Sequence, residues 1–251
     1  MRSIDLAAIA AVIFSIPTMP VWAQIVPDRT LPENSLVTPN GSGFQIEGGT
    51  VAGSNLFHSF SAFSVPSGTE AFFNNPTAIA NILARVTGGD ISNIDGILRA
   101  NGNANLVLVN PAGIIFGENA RLDLGGSFLA TTADRIEFAD GLFFSTTHPT
   151  AAPLLTVSVP VGLQFGDVPG TIAVRGNGNT LILDRSGEEV LLARQLAIDP
   201  QRSGLRSPGR TLALVGGNVS VFGGNLIAES GRIQGKRILR KTAPIFSITA
   251  T

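Results

Sequence analysis

Asn105 to Ile136 reads NLVLVNPAGIIFGENARLDLGGSFLATTADRI, and this stretch decides the fold. Three short β-type runs, Leu106–Val109, Ile114–Phe116 and Leu122–Leu124, are separated by turn chemistry at Asn110-Pro111-Ala112-Gly113 and Gly125-Gly126. Runs this brief are too short for helices, and several are apolar on both faces, as strands buried on both sides are. Asn110 can accept from the backbone two residues on, Pro111 presets the second turn position, and Gly113 closes the fourth. Ala112 does not easily take the positive φ that a type II turn would require, so a type I corner is predicted. The stretch reads as a surface to be recognised or extended, not as a pocket.

The pattern spreads outward from there. Between Gly88 and Ile233, strand-like runs recur at roughly 10–15-residue spacing, each bounded by Gly or Asn. They include Ile97–Arg99, Arg135–Phe138, Leu154–Val159, Gly162–Phe165, Ile172–Val174, Leu181–Leu183, Leu212–Val215, Val219–Phe222 and Leu226–Ala228. Stacked coils of about 20 residues suit such runs, each strand bonding to its equivalent one turn on. A sandwich also uses regular short strands and stays open at this point. Upstream, Phe44–Glu47 alternates as a half-buried strand, and Asn55–Val65 reads as strand or irregular coil. Ile79, Ile82, Leu83 and Val86 have a near-helical rhythm, which predicts a short turn of helix after Pro76. Ser186 and Glu189 have capping-box spacing ahead of a helix over 187–197.

Composition agrees. A hydrophobic content of 44% is too high for disorder, and 29 glycines with 15 prolines leave little room for long helices. Fifteen phenylalanines and no tyrosine fill a core with rings that need no hydrogen-bond partner. The chain has no cysteine, which excludes a disulfide scaffold and any thiolate metal site, and its two histidines, His58 and His148, leave no plausible zinc triad. A net charge of −1 gives no electrostatic reason for nucleic acid or an anionic membrane as partner. Residues 1–23 have the layout of a secretory signal: Arg2, an apolar core over Leu6–Ile16, and small residues ahead of a cleavage between Ala23 and Gln24.

Catalytic motifs fail one by one. Gly126-Ser127 lacks the second glycine of a nucleophile elbow, and Gly231 with Gly235-Lys236 is misspaced for a phosphate loop. Gly88-Gly89-Asp90 does not recur as a calcium repeat would. Asp90, Asp95, Glu118, Asp123, Asp134, Glu137 and Asp140 read as solvated turn residues on the outer face. His58, inside an apolar run, reads as a packed or hydrogen-bonded histidine. The expectation is no catalytic site, no metal and no cofactor.

Several ordered segments carry a resemblance: Asn55–Phe60, Arg85–Gly89, Ile94–Gly96, Ala104–Ile114, Gly125–Thr132, Pro160–Gly166 and Leu212–Asn218. Together they resemble the N-terminal secretion domain of filamentous haemagglutinin-type two-partner secretion exoproteins, over nearly all of the chain after the signal. The resemblance implies an all-β, single-stranded right-handed parallel β-helix with an N-terminal cap. It implies a secretion module of an adhesin-like exoprotein, read by the periplasmic domains of a dedicated outer-membrane transporter, in transit through the periplasm and then secreted or at the cell surface. It also implies two Asn–Pro motifs in transporter recognition. The second is matched by Asn110, Pro111, Gly113 and Ile114, with Ala112 where the family has Asn, and the first by Asn75 and Pro76 alone.

Residues 24–233 are thus expected to form the secretion domain. Both lysines, Lys236 and Lys241, fall beyond it, so residues 234–251 are expected to be a divergent basic tail, foreign to the coils, from a truncated or frameshifted reading. Two other functions compete. One is a stand-alone secreted surface-binding protein; the other is a carbohydrate-active β-helix enzyme, disfavoured by scarce lysine and unclustered acids.

Overall fold

The computed structural model describes residues 25–149, 155–176, 204–207, 211–228, 232–237 and 246–248. Every regular element among them is a β-strand. The apolar runs separated by Gly and Asn corners wind into coils with three faces. The long face stacks Asn55–Ala62, Asn81–Val86, Asn105–Val109, Phe128–Thr131, Thr211–Gly216 and Arg232–Arg237, all parallel. The second stacks Ser92–Ile94, Ile114–Phe116, Thr171–Arg175 and Asn218–Phe222. The third stacks Gly43–Gly48, Glu70–Phe73, Ile97–Ala100 and Arg121–Asp123, with Gly204–Ser207 and Asn225–Ala228 as a further parallel pair. The chain visits the faces in constant order and returns one layer on. This is a single-stranded right-handed parallel β-helix, the hand that parallel crossovers take.

Equivalent positions on the long face are 26, 24 and 22 residues apart over the first four coils, then 84. Inside, side chains stack in rows along the register. Leu56, Ile82, Leu106, Phe128 and Leu212 form one row, and His58, Ala84, Leu108, Ala130 and Leu214 another, all buried. Each large apolar side chain so buried contributes about 1.5–3 kcal/mol. Corners between coils are tight. A Cβ on Gly88 would lie 2.0 Å from the Ser61 carbonyl oxygen, and one on Gly126 2.3 Å from that of Ala104.

The N-terminal end is covered. Ser35–Asn40 closes the third face as an antiparallel hairpin with Gly43–Gly48, while Val26–Pro27 and Thr50–Ala52 pair antiparallel with Asn55–Ala62. An exposed sheet edge invites pairing with other chains, and these elements remove it. The 84-residue step holds a second feature, an antiparallel sheet of Arg135–Phe138 flanked by Phe143–Ser145 and Pro160–Gln164. It lies on the outside of the long face. There Phe57, Leu83 and Val109 meet Leu31, Ile136, Phe138 and Phe144 in a second buried apolar cluster.

Two sequence expectations are corrected. Ile79, Ile82, Leu83 and Val86 are not helical: a hydrogen-bonded turn, Ile79 N–H to the Pro76 carbonyl, leads into the strand Asn81–Val86. The near-helical spacing arises because that strand buries both faces, so Ile82, Leu83, Ala84 and Val86 are all apolar. Asn55–Val65, read as strand or irregular coil, is a strand over Asn55–Ala62. Residues 155–159 form no strand: the Thr156 and Ser158 carbonyls accept from the Asn55 side chain, and the Val159 carbonyl from the Ala139 N–H. The parallel register crosses residue 233: Gln234–Arg237 pair with Ala213–Gly216, and Phe246–Ile248 returns antiparallel along Ile233–Gly235. Residues 1–24, the run Leu181–Leu183 and the helix expected over 187–197 lie outside the described residues.

Candidate functional site

The Asn110 turn forms where the long face bends into the second. The Gly113 N–H donates to the Asn110 carbonyl at 3.1 Å, and Asn110 Oδ1 accepts from the Ala112 N–H at 3.0 Å, so the expected corner is present. Asn110 Nδ2 donates to the Asp90 carbonyl and to Ser92 Oγ, both at 2.9 Å, on the preceding coil. The Gly170 N–H, on the following one, donates to the Pro111 carbonyl at 3.1 Å. Asn110 is 1% exposed, Ile114 is in the core, Gly113 is buried with φ 132°, and Pro111 is half-buried. The Asn110 side chain therefore ties its turn to the preceding coil, and the Pro111 carbonyl ties the same turn to the following one.

Asn75 occupies a different corner, after the third face. Its Oδ1 accepts from the Asn101 N–H at 2.9 Å, and its Nδ2 donates to the Pro76 carbonyl at 3.0 Å and to that of Asn101 at 3.3 Å. Asn75 is buried and Pro76 exposed. The fold thus places the two Asn–Pro motifs at different corners, each Asn facing inward.

Two arrangements escape the sequence reading. The first is a ladder at the start of the first five long-face strands. Asn81 Nδ2 donates to Asn55 Oδ1 and Asn105 Nδ2 to Asn81 Oδ1, each at 2.9 Å; the Ser127 N–H then donates to Asn105 Oδ1, and the Thr211 N–H to Ser127 Oγ. At its first rung Asn55 Nδ2 donates to the carbonyls of Thr156 and Ser158. Its signal was an Asn before two apolar residues in Asn55-Leu56-Phe57, Asn81-Ile82-Leu83 and Asn105-Leu106-Val107.

The second is a charge within the outer cluster. Arg85, 1% exposed, donates from Nε to Ser59 Oγ at 2.8 Å, from Nη2 to Thr30 Oγ1 at 2.8 Å, and from Nη1 to the Ser145 carbonyl. Its guanidinium lies 4.2 Å over the Phe144 ring. Asp28 accepts from the hydroxyls of Thr30, Ser59 and Thr87 at 2.6–2.7 Å. Burial pushes Asp28 up, but these hydrogen bonds outweigh it and hold its carboxyl below the ordinary value. Burial pushes Arg85 down to about 10, opposed by the Asp28 charge, so it stays protonated at neutral pH. One residue thus joins the N-terminal segment, the second coil and the outer sheet. Its only sequence sign is an arginine inside Ile82-Leu83-Ala84-Arg85-Val86.

His58 is packed and hydrogen-bonded as expected. Its Nδ1 lies 2.9 Å from Ser35 Oγ, its ring stacks on Phe60, and burial pushes its pKa down to about 3. The nominated acids serve the coils: Asp95 accepts from Asn119, Asp123 pairs with Arg99, Glu137 with Arg135. Among the described residues, no group of three or more His, Cys, Asp or Glu side chains is arranged to hold a metal ion. The geometry offers stacked coils, closed corners and a covered outer face.

The chain is 40% identical over 73 residues, 29% of its length, to the heme/hemopexin-binding protein of Haemophilus influenzae. The matched stretch is 8% of that relative's length. It is also similar to the crystal structure of the filamentous hemagglutinin secretion domain, with a TM-score of 0.37 and 16% identity, covering 85% of this chain and 96% of that one. The family model for the TPS secretion domain matches residues 23–251, and the chain belongs to that family, as the secretion domain of a two-partner secretion exoprotein.

Proposed function

We propose that the periplasmic domains of a dedicated outer-membrane transporter recognise this module and pass it to the outside or the surface of the cell, after cleavage between Ala23 and Gln24. Recognition reads Asn75-Pro76 and Asn110-Pro111-Gly113-Ile114 before the coils close. The burial of Asn110 carries this reading. In the finished helix its amide is occupied by Asp90, Ser92 and Ala112, which leaves nothing for a partner. In an uncoiled chain the same residues form a short, Pro-stiffened turn flanked by apolar strands with free backbone groups. Such segments suit capture by strand addition.

Co-expression with a two-partner transporter tests this. Asn110→Ala removes the corner's side-chain bonds and is expected to abolish appearance of the protein outside the cell. Asn81→Ala weakens the folded ladder without touching either motif, and is expected to leave secretion largely intact. Equal secretion of Asn110→Ala and wild type, or equal loss in both variants, overturns the assignment.

A further inference from the structure

The outer wall of a β-helix usually meets water, yet here each of the first three long-face strands carries a buried apolar side chain on its outer side. In register, Phe57 lies beside Leu83 and Leu83 beside Val107, with Val109 next to Arg85 in the adjacent row. Phe57, Leu83 and Val109 are at most 1% exposed. Leu31 from the N-terminal segment covers part of them, and the rest of the cover comes from far along the chain. Phe138 and Phe144 stand with ring centroids 6.0 and 5.1 Å from Phe57. The Arg85–Ser145 bond spans 60 residues, and those from Asn55 to Thr156 and Ser158 span 101 and 103. The ladder and coil contacts of the same strands span only 22 to 26.

Contacts of long sequence separation carry the larger closure entropy and form late. The first three coils can therefore stack while the part of their outer stripe that Ile136, Phe138 and Phe144 later cover is still bare. We propose that the stripe Phe57–Leu83–Val109 is a docking face for the transporter's periplasmic domains, and that the sheet of Arg135–Phe138, Phe143–Ser145 and Pro160–Gln164 is its intramolecular lid. The occupant follows from the geometry together with the transporter reading above, on which this inference rests. The stripe crosses neighbouring parallel strands in register, so it fits an extended apolar segment laid across them. It is available only while the chain is incompletely folded, which is the condition during transit. Lid closure then releases the transporter, because both compete for one surface.

The chain's lack of cysteine permits a direct test. A Cβ on Gly53 would lie 3.1 Å from Val157 Cβ, a little closer than bridged Cβ atoms; Gly53 has φ +60, so the cysteine there carries some backbone strain in both redox forms, but both positions are exposed and the pair leaves the core untouched. The Gly53→Cys/Val157→Cys protein is purified, and its binding to the periplasmic domains of a transporter that secretes the wild type is measured oxidised and reduced. A second protein, Phe144→Ala, loosens the lid without altering the stripe. Oxidation is expected to weaken binding at least tenfold and reduction to restore wild-type affinity. Phe144→Ala is expected to bind several-fold tighter, since apparent affinity scales with the open fraction. Equal binding by oxidised and reduced forms, or unchanged affinity in Phe144→Ala, overturns the lid and leaves transporter recognition standing. Absence of binding by every form, wild type included, overturns both.

Discussion

Removing the Arg85 guanidinium gives the sharpest test of how the N-terminal end is held. Arg85→Ala would leave the Thr30 and Ser145 carbonyls without this donor, and Asp28 without the cation whose charge acts on it. The hydroxyls of Thr30, Ser59 and Thr87 would still serve Asp28, so its carboxylate stays ionised but uncompensated. Removing one partner of a buried charge network costs about 3–5 kcal/mol, a large share of the roughly 5–15 kcal/mol that a domain has in total. With a urea dependence of about 2 kcal/mol per molar, the midpoint should fall by roughly 2 M. Arg85→Met separates the causes, because it keeps apolar volume over Phe144 while removing every donor. If the polar network is responsible, Met should lose nearly as much as Ala. Asp28→Asn combined with Arg85→Met should then recover part of the loss. The assay is equilibrium urea unfolding of the protein from Gln24 onward, followed by circular dichroism, since the one tryptophan is Trp22. Stability of Arg85→Met within about 1 kcal/mol of wild type would refute the reasoning.

Two further outcomes are expected. His58 is held neutral, with a folded pKa of about 3 against an ordinary value of 6.5, so the unfolded chain binds the extra proton. Its contribution is complete above pH 6.5 and drains away as pH falls toward 3, by about 2 kcal/mol at pH 5. His58→Gln should flatten the stability profile between pH 6.5 and 5; an unchanged slope there would remove His58 as the cause. In the ladder, Asn81→Ala removes a donor and an acceptor at once and should lower stability by about 1–3 kcal/mol. Asn81→Asp should be worse, because its carboxylate would face the Asn55 amide oxygen, and calorimetry ranking Asp above Ala would contradict that geometry.

The coil architecture was legible because its units are local. Leu106–Val109, Ile114–Phe116 and Arg121–Leu124 with their Asn and Gly corners give nearly one whole coil in consecutive text. What escaped was set by partners far away. The run from Ile79 to Val86 mimics a helix because the outer sheet makes both faces of its strand apolar, and nothing nearby announces that sheet. Arg85 looks like any surface arginine until Ser145 and Thr30 are brought to it. The Asn110 turn was legible as a corner, but its inward amide was not, because Asp90 and Ser92 reach it only once the preceding coil is stacked.

The antiparallel sheet leaning back over the first coils also sets how the molecule yields under tension. Its bonds to Asn55 and Arg85 weld those coils to the N-terminal cap as one mechanical unit. Layers beyond the long excursion adhere chiefly to their immediate neighbours. A pull on the far end would peel those outer layers singly, while the welded end holds until last and serves as the template on which the peeled chain rewinds.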